Sequence, residues 1–352
     1  MKICHVIFSM ETGGAEVLTV QLLNESCFNH EVSLVIINKK WNPVLLNQLD
    51  RRVKVYYINR TPGSRNIIPI VKLNLVLMSI NPDVVHSHDP QVAKVIKWKG
   101  SKLLHTIHDV GIPVNEYRLY DRLVAISDTV RRDASIRSHL DIHKVYNGVP
   151  SELFVKRRAY TLEEREPMRL VQVSRLLHEK KGQDILLEAL HKLRFNYGVH
   201  AFTVDFIGVG PSQSYLEGLT KELKLEAHVK FAGEKPRDWI YQNLRQYHLL
   251  VQPSRYEGFG LTVIEGLAAG IPVLASDTDG PAELIEHLPA GFLFDNESSA
   301  SCASMLFHIY RLYKQQKIAD LLEEAAPLIE EKYSLQSCVK GYFKEYESLL
   351  AS

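Results

Sequence analysis

The chain has 352 residues, of which 45% are hydrophobic and 24% are charged. This composition is that of a globular protein and excludes a disordered or fibrous chain, and the length predicts two domains of ordinary size. The 42 basic and 41 acidic residues nearly cancel, so global charge gives no support for nucleic-acid binding.

Cysteine spacing and hydropathy exclude further classes of protein. Cys4, Cys27, Cys302 and Cys338 show no paired spacing, so we predict neither a disulfide framework nor a zinc site, which fits a cytoplasmic location. Met1-Lys2 leads into a strand without a signal-peptide pattern. No uninterrupted apolar run reaches the roughly 18 residues that a spanning helix needs. Any membrane contact is therefore expected to be peripheral, on the cytoplasmic face of the inner membrane.

The first half of the chain alternates apolar segments with helical periodicity. A glycine turn at Gly13-Gly14 follows the first strand and begins a helix that runs to about Asn24. Strands are predicted at 2–8, 31–37, 53–58, 84–86, 102–107 and 122–126, and further helices at 43–49, 67–80 and 129–136. Ser127 is the predicted N-cap of the last helix. Repeated βα units predict a parallel, doubly wound sheet, and we place this first domain at residues 1–150.

A polar linker at 151–167 precedes a second βα series. Its strands are predicted at 168–173, 202–207, 229–232, 248–251, 273–276 and 292–294, and its helices at 184–193, 214–223 and 261–269. After Ala300 the chain is predicted to turn helical. We place the second domain at 168–333. The final segment, 334–352, begins at a predicted N-cap, Ser334, and keeps apolar residues at helical spacing, so we expect it to pack back on the first domain.

The stretch 254–265 contains two carboxylates, Glu257 and Glu265, eight positions apart. It follows an apolar strand, turns at Gly258 and Gly260, and begins a helix. A turn of this kind presents backbone N–H groups at the positive end of the helix dipole, where phosphate binds, and carboxylates beside it accept hydrogen bonds from sugar hydroxyls. The pattern predicts a ligand with both phosphate and sugar. A surface loop whose acidic residue only offsets the dipole explains the pattern equally well.

Other candidate residues follow predicted strands, because ligands bind at the carboxyl ends of parallel strands. We expect these ends of the two domains to face a shared crevice. In the first half they carry Gly13-Gly14, His86-Ser87-His88-Asp89, His108-Asp109 and Ser127; in the second half Ser174-Arg175, Gly208-Val209-Gly210-Pro211 and Asp277-Thr278-Asp279-Gly280-Pro281. His86 and His88 share one face of their strand and lie near His105 and His108 in sequence. No cysteine or patterned carboxylate completes a zinc site, so we predict no metal.

Taken together, these motifs resemble glycosyltransferase family 4, the retaining group 1 transferases of GT-B fold. Glu257 and Glu265 match its Glu-x7-Glu signature, and Gly13-Gly14-Ala15-Glu16 matches its N-terminal glycine loop. The further matching segments are Pro82 to His88, Asn147-Gly148-Val149, and Val173 to Leu176 followed by Lys181-Gly182. Their order and spacing over nearly the whole chain make the resemblance specific. It implies an α/β protein of GT-B fold, with two Rossmann-like domains facing a central cleft: an acceptor-binding first domain and a second that binds a nucleotide sugar.

The resemblance also implies roles for individual residues. Arg175 and Lys181 would hold the donor diphosphate in place of a divalent metal, and His108 would contact the donor sugar. These three and Glu257 form the implied catalytic set. The donor would be bound by Gly13, Gly14, Gly208, Gly210, Glu257, Gly258, Phe259, Gly260, Leu261, Thr262, Glu265 and Gly280, and the acceptor by Glu16, His86 and His88. Within the donor set, Glu265 would bind the ribose hydroxyls.

The implied activity is retaining, metal-independent transfer of a sugar, with a UDP-sugar as the expected donor, to a hydroxyl of a glycan or lipid-linked acceptor in surface polysaccharide biosynthesis. No cofactor is expected, because the nucleotide sugar is a substrate. A sugar-nucleotide epimerase of the same fold and a silent nucleotide-sugar-binding subunit stay open as alternatives. Lys180 competes with Lys181 for the phosphate, and Asp279 stands where the family has glycine. The choice between the two lysines and the effect of Asp279 on donor choice are therefore open.

A scatter of basic and aromatic residues marks the first domain as a candidate contact for anionic lipid headgroups or a lipid-linked sugar diphosphate. It comprises Arg51, Arg52, Lys54, Tyr56, Tyr57, Arg60, Arg65 and Lys97-Trp98-Lys99. Ordinary solvated loops explain the same residues.

Overall fold

The computed structural model describes residues 1–11, 13–163 and 166–352. These divide into two compact units, one of Met1–Gly148 with Leu335–Ser352 and the other of Val149–Ser334. The division falls inside the Asn147-Gly148-Val149 turn, and the described residues of the predicted linker belong to the second unit. Thr12, before the predicted glycine turn, and Glu164 and Arg165 of the predicted linker lie outside the described residues.

The first unit is built on a seven-stranded sheet in the order β3-β2-β1-β4-β5-β6-β7, and all its strand pairs are parallel. Its strands are β1 Lys2–Ile7, β2 Glu31–Asn38, β3 Lys54–Arg60, β4 Val84–Ser87, β5 Lys102–Ile107, β6 Arg122–Ala125 and β7 His143–Lys144. Its helices are α1 Gly14–Ser26, α2 Pro43–Leu46, α3 Ile68–Ile80, α4 Val92–Val95, α5 Asp128–Ser138 and, from the end of the chain, α14 Leu335–Ala351.

Helices cover both faces of this sheet, which is why its central strands are apolar on both sides. One core joins the sheet to α1 and α14, and the other joins it to α3 and α4. Helix α14 contributes Leu335, Cys338, Tyr342, Tyr346 and Leu349 to the first core. The helix at the end of the chain therefore completes one face of the first sheet.

The second unit contains a six-stranded parallel sheet in the order β10-β9-β8-β11-β12-β13. Its strands are β8 Met168–Val173, β9 Phe202–Ile207, β10 Val229–Gly233, β11 Leu249–Gln252, β12 Val273–Ser276 and β13 Gly291–Phe294. Its helices are α6 His178–Lys181, α7 Gln183–Asn196, α8 Gln213–Glu222, α9 Arg237–Asn243, α10 Leu261–Ala268, α11 Asp279–Ile285, α12 Ser299–Lys314 and α13 Ile318–Tyr333.

The long predicted elements match the structure to within a few residues, and the elements that the sequence did not predict are short. These are β7, α4, α6, α9 and α11, none longer than seven residues, because two turns or fewer give too little periodicity to detect. Helix α2 stops at Leu46, short of the predicted 49. Ser127 caps α5 as predicted, since its hydroxyl accepts the Val130 N–H at 3.1 Å.

Two findings bear on the excluded protein classes. The four cysteines are free and buried. Among the helices of the described residues, none is both long enough and apolar enough to cross a bilayer.

We expect Tyr342→Ala to lower the free energy of unfolding of the first unit by about 3–5 kcal/mol, because it leaves a cavity between α14 and the sheet. Tyr342 is 2% exposed, and its hydroxyl accepts a hydrogen bond from Thr106. Urea denaturation measures the loss. Leu350→Ala, at a residue of the same helix that is 40% exposed, is the control and should change stability by less than about 0.5 kcal/mol. Equal effects of the two changes would contradict the packing of α14.

Candidate functional site

The loop between β11 and α10 in the second unit is held in shape by two glycines. Gly260 has a φ of +94°, a left-handed conformation that favours glycine. A side chain at Gly280 would overlap the backbone of Gly258 and Phe259. The Gly280 N–H donates to the Glu257 carbonyl at 3.0 Å. The 257–260 loop and the start of α11 are therefore pressed together, backbone against backbone.

Glu257 and Lys181, which lie 76 positions apart, form an ion pair in this loop. Lys181 ends α6, where Gly182 adopts a left-handed φ of +62°. Gln252 also donates to Glu257, at 3.3 Å. Lys180 lies elsewhere, with its Nζ 4.6 Å from the centre of the Tyr256 ring. Of the two candidate lysines, the structure brings Lys181 to Glu257.

Glu265 is buried on α10 and pairs with Arg237, the first residue of α9. Burial by itself would lower the pKa of the Arg237 guanidinium, but the Glu265 carboxylate beside it raises that pKa overall. The pair uses Glu265 Oε1; within the described parts of the chain, Glu265 Oε2 is buried without a hydrogen-bond partner. Buried acceptors without a hydrogen-bond partner are rare in native proteins, and a bound ligand or water is one explanation for such an oxygen.

Arg237 is a site residue that the sequence did not predict. Helix α9 is too short to give a periodic signal. The signal that could have revealed a basic partner lies in α10, which is apolar on nearly every side of Glu265. A carboxylate buried in such a helix requires a cationic partner. That argument predicts a basic partner without saying where in the sequence it stands.

The ends of β8 and β9 form a second close backbone contact. A side chain at Gly208 would overlap the Ser174 carbonyl, and one at Gly210 would overlap the backbone of Leu176. The side chain of Arg175 is exposed, and its carbonyl accepts a hydrogen bond from Gln183 at 3.0 Å. Among the described residues, no ion pair or hydrogen bond joins the Arg175 guanidinium to Glu257 or Glu265. The structure therefore unites Lys181 with Glu257 and leaves Arg175 exposed after the end of β8.

The remaining predicted donor residues of this unit lie around the same loop. Leu261 begins α10, and the Thr262 hydroxyl donates to Gln252 at 2.9 Å. The Phe259 ring packs edge-on near Tyr333. Asp279 adopts a left-handed φ of +41°, and its carboxylate accepts the Glu257 N–H at 3.4 Å. Asp279 thus contacts the loop that contains Glu257.

In the first unit, histidines within or just after three neighbouring strands form a chain of hydrogen bonds. His5 Nδ1 lies 2.9 Å from His88 Nε2, and His88 Nδ1 lies 3.0 Å from His108 Nε2. The predicted residues His88 and His108 are thus brought together. His5 was not predicted, because its place in an apolar strand gave no functional signal.

His86 lies in the core, beside this chain. Its two ring nitrogens lie 2.7 Å from the Tyr346 and Thr106 hydroxyls, and its side chain is fully buried. The acceptor contact expected for His86 does not fit this position. The resemblance assigned His86 to the acceptor site from its position on a strand. The sequence could not show that its Nδ1 contacts the hydroxyl of Tyr346 on α14, 260 positions away.

These histidines are neutral at pH 7. Burial lowers the pKa of His5 and of His105 to about 3 and that of His108 to about 4, and it holds the pKa values of His86 and His88 well below their usual range. A neutral imidazole has one donor and one acceptor nitrogen, so a chain of them can be satisfied end to end.

Three of the histidines could also hold a metal ion. His5, His86 and His88 each offer a ring nitrogen, and these atoms lie within 4.8 Å of one another. In this structure hydroxyl groups occupy both nitrogens of His86, while His5 and His88 contact each other. Hydrogen bonding between neutral rings accounts for the arrangement, and the absence of a metal stays a prediction.

The glycine loop of the first unit also has a local explanation. Helix α1 begins at Gly14, and Glu16 lies in its first turn. The Glu16 carboxylate folds back over Gly13, where a side chain would overlap it. Burial raises the pKa of Glu16 above its usual value.

Comparison with known proteins assigns both halves of the chain. The family model "Glycosyltransferase Family 4" matches residues 12–153, and "Glycosyl transferases group 1" matches residues 156–314. An uncharacterised glycosyltransferase of Methanocaldococcus jannaschii is 26% identical over 231 residues, which are 65% of this chain and 60% of the relative. The amylovoran biosynthesis glycosyltransferase AmsK of Erwinia amylovora is 31% identical over 150 residues, 41% of this chain and 36% of the relative. The chain thus spans less than two thirds of either relative.

Among solved structures, Anabaena HepE in complex with UDP-glucose superposes with a TM-score of 0.81. It is 21% identical, and the match covers 99% of this chain and 100% of that chain. At this identity the likeness shows the fold, and together with the two parallel sheets it confirms the GT-B fold that the motifs predicted.

The histidine cluster predicts that the first unit loses stability in acid. The native pKa values of these histidines lie below the ordinary 6.5, so below about pH 6.5 the unfolded chain binds more protons than the native state. The free energy of unfolding therefore falls as the pH is lowered, until the native pKa values near 3–4 are reached. Each such histidine should cost about 1–2 kcal/mol between pH 7 and pH 5. Thermal unfolding measured across this range tests the slope.

His88→Asn removes one of these groups and should make the pH dependence shallower. The matched control is His139→Asn, at an exposed position with a left-handed φ of +58° that asparagine tolerates. It should leave the slope unchanged. An unchanged slope in His88→Asn would show that His88 is not a buried neutral histidine.

Proposed function

Because the chain belongs to the group 1 glycosyltransferases of family 4, we propose that it transfers a sugar from a nucleotide-diphosphate sugar to an acceptor hydroxyl. The observation that supports this most is the loop of the second unit and the helix α10 that follows it. Lys181 pairs with Glu257 in the loop, and the buried Glu265 on α10 has an oxygen without a partner among the residues that the structure describes. The loop offers a cation for phosphate and carboxylates for sugar hydroxyls. The UDP-glucose bound by HepE supports a UDP-sugar as the donor.

In this proposal the diphosphate binds between Lys181 and the beginning of α10. The N–H groups of Leu261 and Thr262 lie in the first turn of that helix, at the positive end of its dipole. Arg175, exposed at the end of β8, adds a second cation. These groups stabilise the negative charge that builds up on the leaving diphosphate, which is the largest electrostatic demand of the reaction.

The nucleotide ribose binds at Glu265. Its Oε2 accepts a ribose hydroxyl, which gives this buried oxygen the partner it lacks among the described residues. Arg237 fixes the orientation of the carboxylate through Oε1. The ribose hydroxyl can therefore bind at Oε2 without displacing Arg237 from Oε1.

Transfer breaks the bond between the anomeric carbon and the diphosphate oxygen and forms a bond to the acceptor oxygen. We propose that the configuration is retained, with the acceptor attacking from the side of the leaving group and its proton passing to a phosphate oxygen. Glu257 is already bound by Lys181 and Gln252, so its role is to hold the sugar and not to act as a nucleophile. No step in this proposal requires a divalent metal.

The proposed acceptor is a glycan or a lipid-linked glycan in surface polysaccharide biosynthesis, used at the cytoplasmic face of the membrane. The relative named for amylovoran biosynthesis supports this setting. His108 would face the donor sugar.

An epimerase or a silent binding subunit is separated from a transferase by incubating the protein with UDP-, GDP- and ADP-sugars. Slow donor hydrolysis in excess EDTA supports the proposal, whereas sugar interconversion, or binding without turnover, contradicts it.

Lys181→Ala should lower kcat for donor hydrolysis or transfer by at least about 100-fold, because it removes a fixed cation from the leaving group. Lys180→Ala is the matched control, since its Nζ lies over Tyr256, and it should keep a rate within about threefold of the unsubstituted protein. Steady-state kinetics with unchanged thermal unfolding measures both. A normal rate in Lys181→Ala would remove Lys181 from the site.

Glu265→Gln should abolish discrimination between UDP and its 2′,3′-dideoxy analogue. The unsubstituted protein should bind UDP about tenfold more tightly, since the dideoxy analogue leaves the buried carboxylate oxygen unpartnered. Calorimetry on both ligands gives the ratio, which does not depend on a uniform loss of affinity in the variant. A tenfold preference that persists in Glu265→Gln would place the ribose elsewhere.

A further inference from the structure

Helix α3 of the first unit is apolar on two opposite faces. Leu73 and Leu77 are fully buried against the sheet. Five other apolar side chains, including one at the residue just before the helix, are at least half exposed: Ile67 70%, Ile68 70%, Val71 54%, Leu75 54% and Met78 51%. We call these five residues the α3 face.

The spacing of the α3 face makes it continuous. At about 100° per residue, the five side chains fall within an arc of about 100°, on the side of the helix opposite Leu73 and Leu77. A helix that is apolar all round is normally buried on all sides. Single exposed apolar residues are common, but a continuous stripe of them marks an interaction surface.

Positive charge surrounds the α3 face. Residues 60–82, which include α3 and the segment before it, contain three basic and no acidic residues. Arg65 precedes the helix, and Lys72 lies within it. The backbone N–H of Trp98 donates to the Asn74 side chain on α3 at 2.8 Å. This contact holds the exposed Lys97 and Lys99 beside the helix.

We propose that the α3 face docks on the surface of an anionic lipid bilayer. The helix would lie parallel to the membrane, with its apolar side chains at the boundary between headgroups and acyl chains and its neighbouring lysines and arginine at lipid phosphates. The proposal rests on the proposed function only in naming the purpose of docking, which is to reach a lipid-linked acceptor.

Charge decides between a bilayer and a second copy of this chain. A two-fold contact through the α3 face would bring Arg65, Lys72, Lys97 and Lys99 of one copy near those of the other, and like charges placed together oppose association. An anionic surface instead complements both the apolar stripe and its basic border. Self-association through α3 is therefore the competing outcome of the test.

The experiment measures sedimentation with vesicles of phosphatidylcholine with and without phosphatidylglycerol. The unsubstituted protein should bind the anionic vesicles, and binding should weaken as salt is raised. The double variant Val71→Glu, Leu75→Glu should reduce partitioning by at least about tenfold, because it places two carboxylates in the apolar stripe. Ile136→Glu, at a residue of α5 that is 71% exposed, is the matched control and should bind normally.

Either of two outcomes would overturn the proposal. One is equal vesicle binding by the double variant and the control. The other is a dimer of the unsubstituted protein that the double variant abolishes without a loss of vesicle binding. Lys97→Ala with Lys99→Ala tests the charge separately and should weaken binding to anionic vesicles while leaving binding to neutral vesicles unchanged.

Donor hydrolysis without vesicles separates this proposal from the proposed function. The double variant should hydrolyse a UDP-sugar at the unsubstituted rate, since α3 contributes no residue to the proposed donor site. If the unsubstituted protein hydrolyses no donor, the proposed function fails, and vesicle binding still decides the role of the α3 face. If hydrolysis is normal and vesicle binding is absent, only the docking proposal fails.

Discussion

A parallel sheet must be covered on both faces, and much of this structure follows from that constraint. The first sheet has one core against α1 and α14 and another against α3 and α4. Because α14 is part of the first core, the chain must return to its first unit after completing the second. The polar residues of the strands are left at the carboxyl ends, where a sheet covered on both sides is open.

Two ion pairs organise the loop of the second unit. Taking charges out of water is costly, and a buried pair is often no more stable than an apolar one. Their value here is orientation, because Arg237 directs one oxygen of Glu265 and leaves the other unpartnered among the described residues. Lys181 similarly occupies Glu257 and holds it in the loop. A rigid arrangement of this kind lowers the entropic cost of ordering the site when a ligand binds.

The histidines of the first unit show how burial changes the role of a residue. Burial keeps all the rings of the cluster neutral, so they act through hydrogen bonds and not through charge. His86 is committed to the hydroxyls of Thr106 and Tyr346. His108 is at the strand end, and its neighbour His88 fixes one of its nitrogens. The strand β4 and the residue after it thus supply both a core histidine, His86, and a member of the histidine chain, His88.

The sequence predicts the βα alternation, the long helices and strands, the glycine turns and the Glu-x7-Glu spacing, because hydrophobic period and turn chemistry are local properties. Which charges meet depends on the tertiary structure. Arg237 joins Glu265 from 28 positions away, and Lys181, not Lys180, meets Glu257. The tertiary structure also places His86 in the core and leaves one side of α3 exposed. These outcomes depend on packing between segments distant in the chain, and no local pattern records which face of an apolar helix will find a partner.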